Sequence, residues 1–168
     1  MNQSDDTYKP IIKRIGGHLH KLIPVKDPKG NLLNYALKPL QVEFKPRDLL
    51  QVIVGATLLA IPIAFTEEAW QLAIELPNLN VALIGILSLV FISLFIYFNF
   101  YRYHLKGNKF EFLKRVLATY LVSAIIVALF LTIIQRCPWE QDFALALKRV
   151  VIVTLPASMS ATLSDTIK

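Results

Sequence analysis

LPNLNVALIGILSLVFISLFIYFNFY, residues 76–101, is the stretch of sequence that decides the fold. None of these residues is Asp, Glu, Lys or Arg. A helix needs about 20 apolar residues to cross a bilayer core of roughly 30 Å. Helices buried in soluble domains usually keep a polar face, and this stretch has none. It therefore predicts a transmembrane helix, which we place at residues 79–101.

Two more stretches predict full spans on the same grounds. Residues 116–135 are also free of charge and form the predicted third span. Residues 49–70 form the predicted first span, with Asp48 placed to cap its N-terminus. Pro62 lies inside that span, where it should bend the helix or free a carbonyl group.

The fourth predicted span has a shorter charge-free stretch than the other three. Only residues 150–164 are free of charge, which corresponds to about 22 Å of helix. We therefore expect the helix to begin near Phe143, so that Lys148 and Arg149 extend along it to the membrane interface. The fold class predicted from these patterns is an all-α membrane protein with four transmembrane helices.

Composition supports a membrane protein over a soluble one. The 168 residues are 55% hydrophobic with a mean hydropathy of +0.51, against about 45–50% apolar residues in a typical soluble domain. The net charge of +6 could suggest nucleic acid as a partner, but membrane topology explains the charges better. We therefore expect the lipid bilayer as a partner and no nucleic acid.

The distribution of Lys and Arg predicts the orientation. Fifteen of the 18 lie in the N-terminal segment, in the connection between the second and third spans, or at the last residue. The connection between the first two spans has none. Because Lys and Arg concentrate in cytoplasmic loops, we expect both termini in the cytoplasm and a multi-pass protein of the plasma (inner) membrane.

The predicted domains are residues 1–47, a cytoplasmic segment, and residues 48–168, the transmembrane domain. The apolar residues near the start of the chain fall close to helical spacing with basic residues between them, which predicts a short amphipathic helix on the membrane surface. After a turn signal at residues 27–31, alternating residues favour a small hairpin. The helix rests on Ile11, Ile12, Ile15, Leu19, Leu22 and Ile23, and the hairpin on Leu40, Val42 and Phe44.

Adjacent carboxylates mark the end of the predicted first span. Glu67 and Glu68 are followed by Trp70, a residue typical of the membrane interface. Carboxylates are costly against lipid, so these two should reach water or line a cavity. In an oligomer they could form a ring that attracts cations. The alternative is that they are simply the hydrated end of a helix anchored by Trp70.

A second set of polar residues follows one face of the fourth span. Thr154, Ser158, Thr162 and Asp165 have helical spacing. Hydroxyl groups on one stripe can replace part of an ion's hydration shell, and Pro156 frees a carbonyl in the same helix. Small residues at this spacing equally allow helices to pack closely, so packing is the alternative interpretation.

The stretch from Asp48 through Phe65-Thr66-Glu67-Glu68-Ala69-Trp70 resembles an uncharacterised family of bacterial integral membrane proteins. Its members carry an acidic and aromatic motif at the end of an early helix. The resemblance covers the membrane region and leaves out the first 46 residues. Family members are longer and have more predicted spans, and the family carries no function over to this chain.

The sequence contains no His-Glu-x-x-His, Gly-x-Ser-x-Gly or Walker motif. The acids available to a membrane active site are Glu67, Glu68 and Asp165, which the topology places at opposite faces. We therefore expect neither an enzyme nor a cofactor. The first hypothesis is a homo-oligomeric channel or facilitator for inorganic cations. The alternative is a non-transporting membrane scaffold or accessory subunit whose polar stripes are helix interfaces.

Overall fold

The computed structural model describes residues 11–15, 18–26, 32–39, 46–102 and 108–167. The chain divides into two compact units, Met1–Glu43 and Phe44–Lys168. The first contains a β-sheet and the second contains the helices. We call them the β unit and the helical unit.

The β unit has a three-stranded antiparallel sheet in the order β1-β2-β3. The strands are β1 Ile11–Ile15, β2 His18–Lys26 and β3 Leu32–Pro39. The predicted amphipathic helix over residues 11–23 is therefore wrong. β-Branched residues favour strands, and three of the residues on which that helix rested are isoleucines of β1. The register pairs Ile15 of β1 with His18 of β2. The strand predicted around Leu40 lies outside the described residues.

The helical unit begins with a helix that ends earlier than predicted. Helix α1 spans Pro46–Ala64, and a separate short helix, α2, spans Glu67–Glu75. The predicted span over residues 49–70 is therefore two helices. Between them Thr66 adopts an extended backbone, and its hydroxyl donates to the Ile63 carbonyl at 2.8 Å. Because this hydrogen bond satisfies one of the last carbonyls of α1, the chain can leave the helix there.

Three long helices complete the unit. Helix α3 spans Asn78–Ile96 and continues into a π-helical turn at Tyr97–Tyr101. Helix α4 spans Lys109–Ile133, so it begins seven residues before the predicted third span. The helix simply continues through charged residues whose side chains reach the surface, such as Lys109 and Lys114.

Helix α5 spans Phe143–Thr166, as predicted. The Asp142 side chain caps it by accepting a hydrogen bond from the Leu145 amide at 2.9 Å. A carboxylate at this position satisfies an amide that has no partner within the helix.

Helices α1 and α5 meet through small residues. A Cβ atom placed on Gly55 would lie 2.5 Å from Ser164 Cβ and 2.8 Å from Ala161 Cα. Ala56, Ala60 and Ala64 continue this buried face of α1. Small side chains of this kind allow two helix backbones to approach closely in a membrane.

The outward faces of the long helices are apolar. Leu58, Leu83, Leu121 and Leu163 are each more than half exposed. The four helices α1, α3 with its π turn, α4 and α5 are long and apolar enough to cross a membrane. The predicted four-helix, all-α membrane region is therefore confirmed, while the side on which the termini lie remains a prediction.

Candidate functional site

The polar stripe of α5 lies inside the helical unit. Thr154 and Ser158 are fully buried, and Thr162 and Asp165 are at most 2% exposed. The stripe faces the neighbouring helices of the same chain and not the surrounding lipid.

The hydroxyl groups of this stripe donate to the backbone of their own helix. Thr154 Oγ1 lies 2.7 Å from the Val150 carbonyl, and Thr162 Oγ1 lies 2.6 Å from the Ser158 carbonyl. Ser158 Oγ donates to the Leu155 carbonyl at 3.0 Å. Local bonds of this kind satisfy a hydroxyl donor without any other helix or ligand.

Asp165 ends the stripe in an ion pair with Arg115 of α4. Arg115 Nε and Nη2 both donate to Asp165 Oδ2, at 2.9 and 2.6 Å. The side chains of Arg115 and Asp165 are 0% and 1% exposed. A buried charge is stable only when it is paired and hydrogen-bonded, and each residue supplies that partner to the other.

Two more residues complete what we call the Arg115 cluster, defined as Asp48, Phe100, Arg115 and Asp165. Asp48 Oδ2 lies 3.6 Å from Arg115 Nη2, and its side chain is 4% exposed. The Arg115 guanidinium also lies 3.8 Å from the centroid of the Phe100 ring, which is a cation–π contact. The cluster therefore joins α1, the π-helical turn, α4 and α5 at one end of the bundle.

This cluster was not predicted from the sequence. Asp48 was predicted to cap α1, but it lies in the first turn of that helix, which begins at Pro46. Arg115 was assigned to a basic loop that sets the topology, yet it is fully buried. Spacing could have indicated it, because Arg115, Thr119 and Ser123 share one face of α4 at intervals of four residues.

Two serines of the core follow the same pattern as the hydroxyl residues of α5. Ser123 Oγ donates to the Thr119 carbonyl at 2.8 Å, and Ser88 Oγ of α3 donates to the Ile84 carbonyl at 3.2 Å. Thr119 Oγ1 is buried and has no hydrogen-bond partner among the described residues. Beyond these residues the core becomes apolar toward the α2 end, where Ala60, Val127, Leu131, Val150, Val153 and Ala157 pack together.

Glu67 and Glu68 lie at the opposite end of the bundle from Asp165. Both are exposed in the first turn of α2, where the helix dipole favours negative charge. Glu67 Oε1 accepts a hydrogen bond from Gln71 at 3.0 Å. Helix α1, about 28 Å long at 1.5 Å per residue, separates the two ends. The six predicted pathway residues therefore do not form one site.

Trp70 and Lys148 hold α2 in place. Trp70 Nε1 donates to the Ala64 carbonyl of α1 at 2.9 Å, and the Arg136 guanidinium stacks 3.8 Å from the Trp70 ring centroid. Lys148 Nζ donates to the Leu76 carbonyl at 2.8 Å, and Arg149 donates to the Arg136 carbonyl. The two basic residues of α5 therefore bind backbone carbonyls at the bundle end.

Comparisons with known proteins identify a family. Residues 28–164 match the family described as "Putative integral membrane protein (DUF2391)". The matched region contains three of the long helices and all but the last two residues of α5. It begins earlier than the resemblance predicted, before β3. No curated protein and no solved structure matches the chain. Because the match covers more than half of the chain, the protein belongs to this family of integral membrane proteins.

Proposed function

We propose that the protein is a non-transporting membrane scaffold or accessory subunit, in which the helical unit anchors the β unit at the membrane. The observation that carries this proposal is the burial of the α5 stripe within a single chain. Thr154, Ser158, Thr162 and Asp165 are at most 2% exposed. Side chains buried in this way pack between the helices of one chain, which supports a packing role and argues against a path between subunits.

The apolar half of the core supports the same function. An ion that followed α5 from Asp165 would meet Val153 and Val150, which pack against Val127 and Leu131 of α4. Crossing an apolar, packed region is very costly for an ion. A packed core of this kind is expected of a helical unit that serves only as a membrane anchor.

The β unit is the part that we expect to bind a partner. Its sheet has β2 in the centre, so β1 and β3 are the edges of the described sheet. The edge of a sheet presents backbone donors and acceptors that a strand from another protein can pair with. The partner class is therefore a protein with an extended segment.

Ion flux in liposomes tests the proposal. Purified full-length protein is reconstituted, and fluxes of potassium, sodium, calcium and protons are measured under imposed gradients and voltages. Protein-free liposomes and liposomes with gramicidin give the lower and upper references. We expect the protein to match the protein-free liposomes. Selective cation flux that falls in the Glu67→Gln/Glu68→Gln variant would overturn the scaffold function.

A homo-oligomeric cation channel is the second candidate, and one observation favours it. Glu67 and Glu68 are adjacent, exposed and in the first turn of a short helix at the end of the bundle. Several copies of α2 around an axis would form an acidic ring that concentrates cations. The flux experiment separates the two candidates, because only the channel requires these carboxylates. Asp165→Asn is less informative, since it also disrupts the Arg115 cluster.

A further inference from the structure

We propose that the groove between α3 and α5 at the α2 end of the bundle binds one phospholipid with an anionic headgroup. The groove encloses a cavity of about 340 Å³, within the range of small-molecule binding sites. Its walls are Val81 and Gly85 of α3 and Leu147 and Val151 of α5. Tyr120 of α4 also lines the groove. Apart from its hydroxyl, this part of the lining is apolar, as an acyl chain requires.

Gly85 keeps the groove open. A Cβ atom on this residue would lie 3.5 Å from both the Tyr120 hydroxyl and Val151 Cγ1. A methyl group would therefore just fit, and a larger side chain would occupy the space. The groove thus exists because α3 has no side chain where it faces α4 and α5.

The mouth of the groove carries the charge that selects the headgroup. Lys148 and Asn78 line this end. One donor of the Lys148 ammonium is held by the Leu76 carbonyl at 2.8 Å. This bond fixes the ammonium at the groove mouth, and an ammonium has three donors, so two remain for a phosphate. Basic pockets between transmembrane helices bind anionic lipid headgroups on the cytoplasmic side of membranes. The same attraction between an ammonium and a phosphate acts at the Lys148 end, which the predicted orientation places on the outer side.

The dimensions fit a lipid with its headgroup at Lys148. Asn78 and Gly85 are seven residues apart on α3, or about 10 Å along the helix. The apolar groove thus extends inward from a polar mouth. The same two helices enclose a second apolar cavity of about 140 Å³ further along, lined by Phe91, Phe95 and Met159 among others. An acyl chain that extends inward along the α3–α5 seam would run toward the second cavity.

Lipid binding to the delipidated full-length protein tests this site. The protein is exchanged into detergent and titrated separately with phosphatidylglycerol and phosphatidylcholine, and native mass spectrometry counts the bound lipids. We expect one phosphatidylglycerol to bind at least about fivefold more tightly than phosphatidylcholine, the effect of one Lys near an anionic headgroup. Equal affinity for the two lipids would overturn the proposal.

Substitutions of Lys148 and of Gly85, each with its own control variant, locate the site. Lys148→Gln should remove the preference for phosphatidylglycerol, whereas Lys114→Gln removes the same charge from an exposed position at the other bundle end and should retain it. Gly85→Leu should abolish the tight binding of one lipid, and Gly85→Ala should retain it. Wild-type behaviour in both Lys148→Gln and Gly85→Leu would overturn the site.

Two further outcomes are distinguishable. If Gly85→Leu does not fold, the Lys148→Gln and Lys114→Gln pair decides the question alone. If Gly85→Leu converts a dimer to a monomer without changing lipid binding, the groove binds a second copy of the chain and the lipid proposal is wrong. The inference does not depend on the scaffold function, because a channel could hold a lipid in the same groove.

Discussion

Arg115 and Asp165 form a buried ion pair in which two guanidinium nitrogens donate to one carboxylate oxygen, at 2.9 and 2.6 Å. The residues come from different helices and are 50 positions apart in the chain. Asp48 of α1 adds a second carboxylate 3.6 Å from the same guanidinium. A charged cluster at the end of an apolar bundle therefore sets which helix ends lie together.

Removing the cation should destabilise the bundle strongly. Arg115→Met removes the positive charge that lies next to two buried carboxylates, and losing one member of a buried pair costs about 3–5 kcal/mol. Thermal unfolding in detergent measures the change. Lys114→Met is the matched control, because Lys114 precedes Arg115 in the chain and is exposed. In Arg115→Met/Asp165→Leu no carboxylate remains at position 165, so we expect part of the stability to return. Equal losses in the Lys114 and Arg115 variants would contradict this account.

Gly55 should tolerate no side chain. The methyl group of Gly55→Ala would lie 2.5 Å from Ser164 Cβ, so α1 and α5 would have to separate. Overpacking of a core costs about 1–3 kcal/mol. Gly85→Ala is the control, because its nearest contacts would be at 3.5 Å and a helical Gly-to-Ala change is otherwise favourable by about 1 kcal/mol. We expect a lower unfolding temperature for the first variant only, and a similar fall in both would argue against the close approach.

The hydroxyl groups of α5 should be dispensable. In Thr154→Val and Thr162→Val the shape of the side chain is kept and a bond to the same helix is lost. Even hydrogen bonds between membrane helices contribute only about 0.6 kcal/mol on average, and these two bonds lie within one helix. We expect small shifts in unfolding temperature and no change in the oligomeric state, measured by light scattering. Loss of assembly in either variant would show that the stripe contacts another subunit.

Cys137 should react slowly with alkylating reagents at neutral pH. It lies between α4 and α5, where burial raises the pKa of its thiol, and the positive charge of Arg149 lowers the pKa by a smaller amount. Because the thiolate is the reactive form, the rate of iodoacetamide labelling should rise only at a pH above the ordinary thiol range. Gln141→Cys in a Cys137→Ser background provides an exposed control thiol that should react at lower pH.

Replacing Arg149 tests the cause of that shift. Arg149→Gln removes the charge that lowers the pKa of Cys137, so the labelling profile should move to still higher pH. Arg149→Lys keeps the charge and should leave the profile close to that of the wild type. A profile that moves to lower pH in Arg149→Gln would show that the thiol is exposed by the substitution.

The end of the first predicted span is a feature that was not predicted correctly from the sequence. The hydropathy averaged along residues 49–70 stays apolar across Phe65 and Thr66, so it predicts one helix. The chain nevertheless breaks there, since the Thr66 hydroxyl and the Trp70 indole satisfy the last carbonyls of α1. The break gives Glu67 and Glu68 a helix of their own. A periodic pattern does not predict this break. The break depends on hydrogen bonds that the Thr66 and Trp70 side chains donate to carbonyls earlier in the chain.

The sequence by itself determined that four helices are long and apolar enough to cross a membrane, because apolar length is a local property and a helix satisfies its own backbone hydrogen bonds. It also indicated that α5 begins near Phe143, because the charge-free residues 150–164 are too few to span a bilayer; the Asp142 cap at that point was seen only in the structure. The tertiary structure alone decided which polar residues are buried together. Arg115 lies in the sequence among exposed basic residues, and it becomes an interior residue only when α1 and α5 bring Asp48 and Asp165 to it. A buried charge is stable only with such partners, and those partners come from distant parts of the chain.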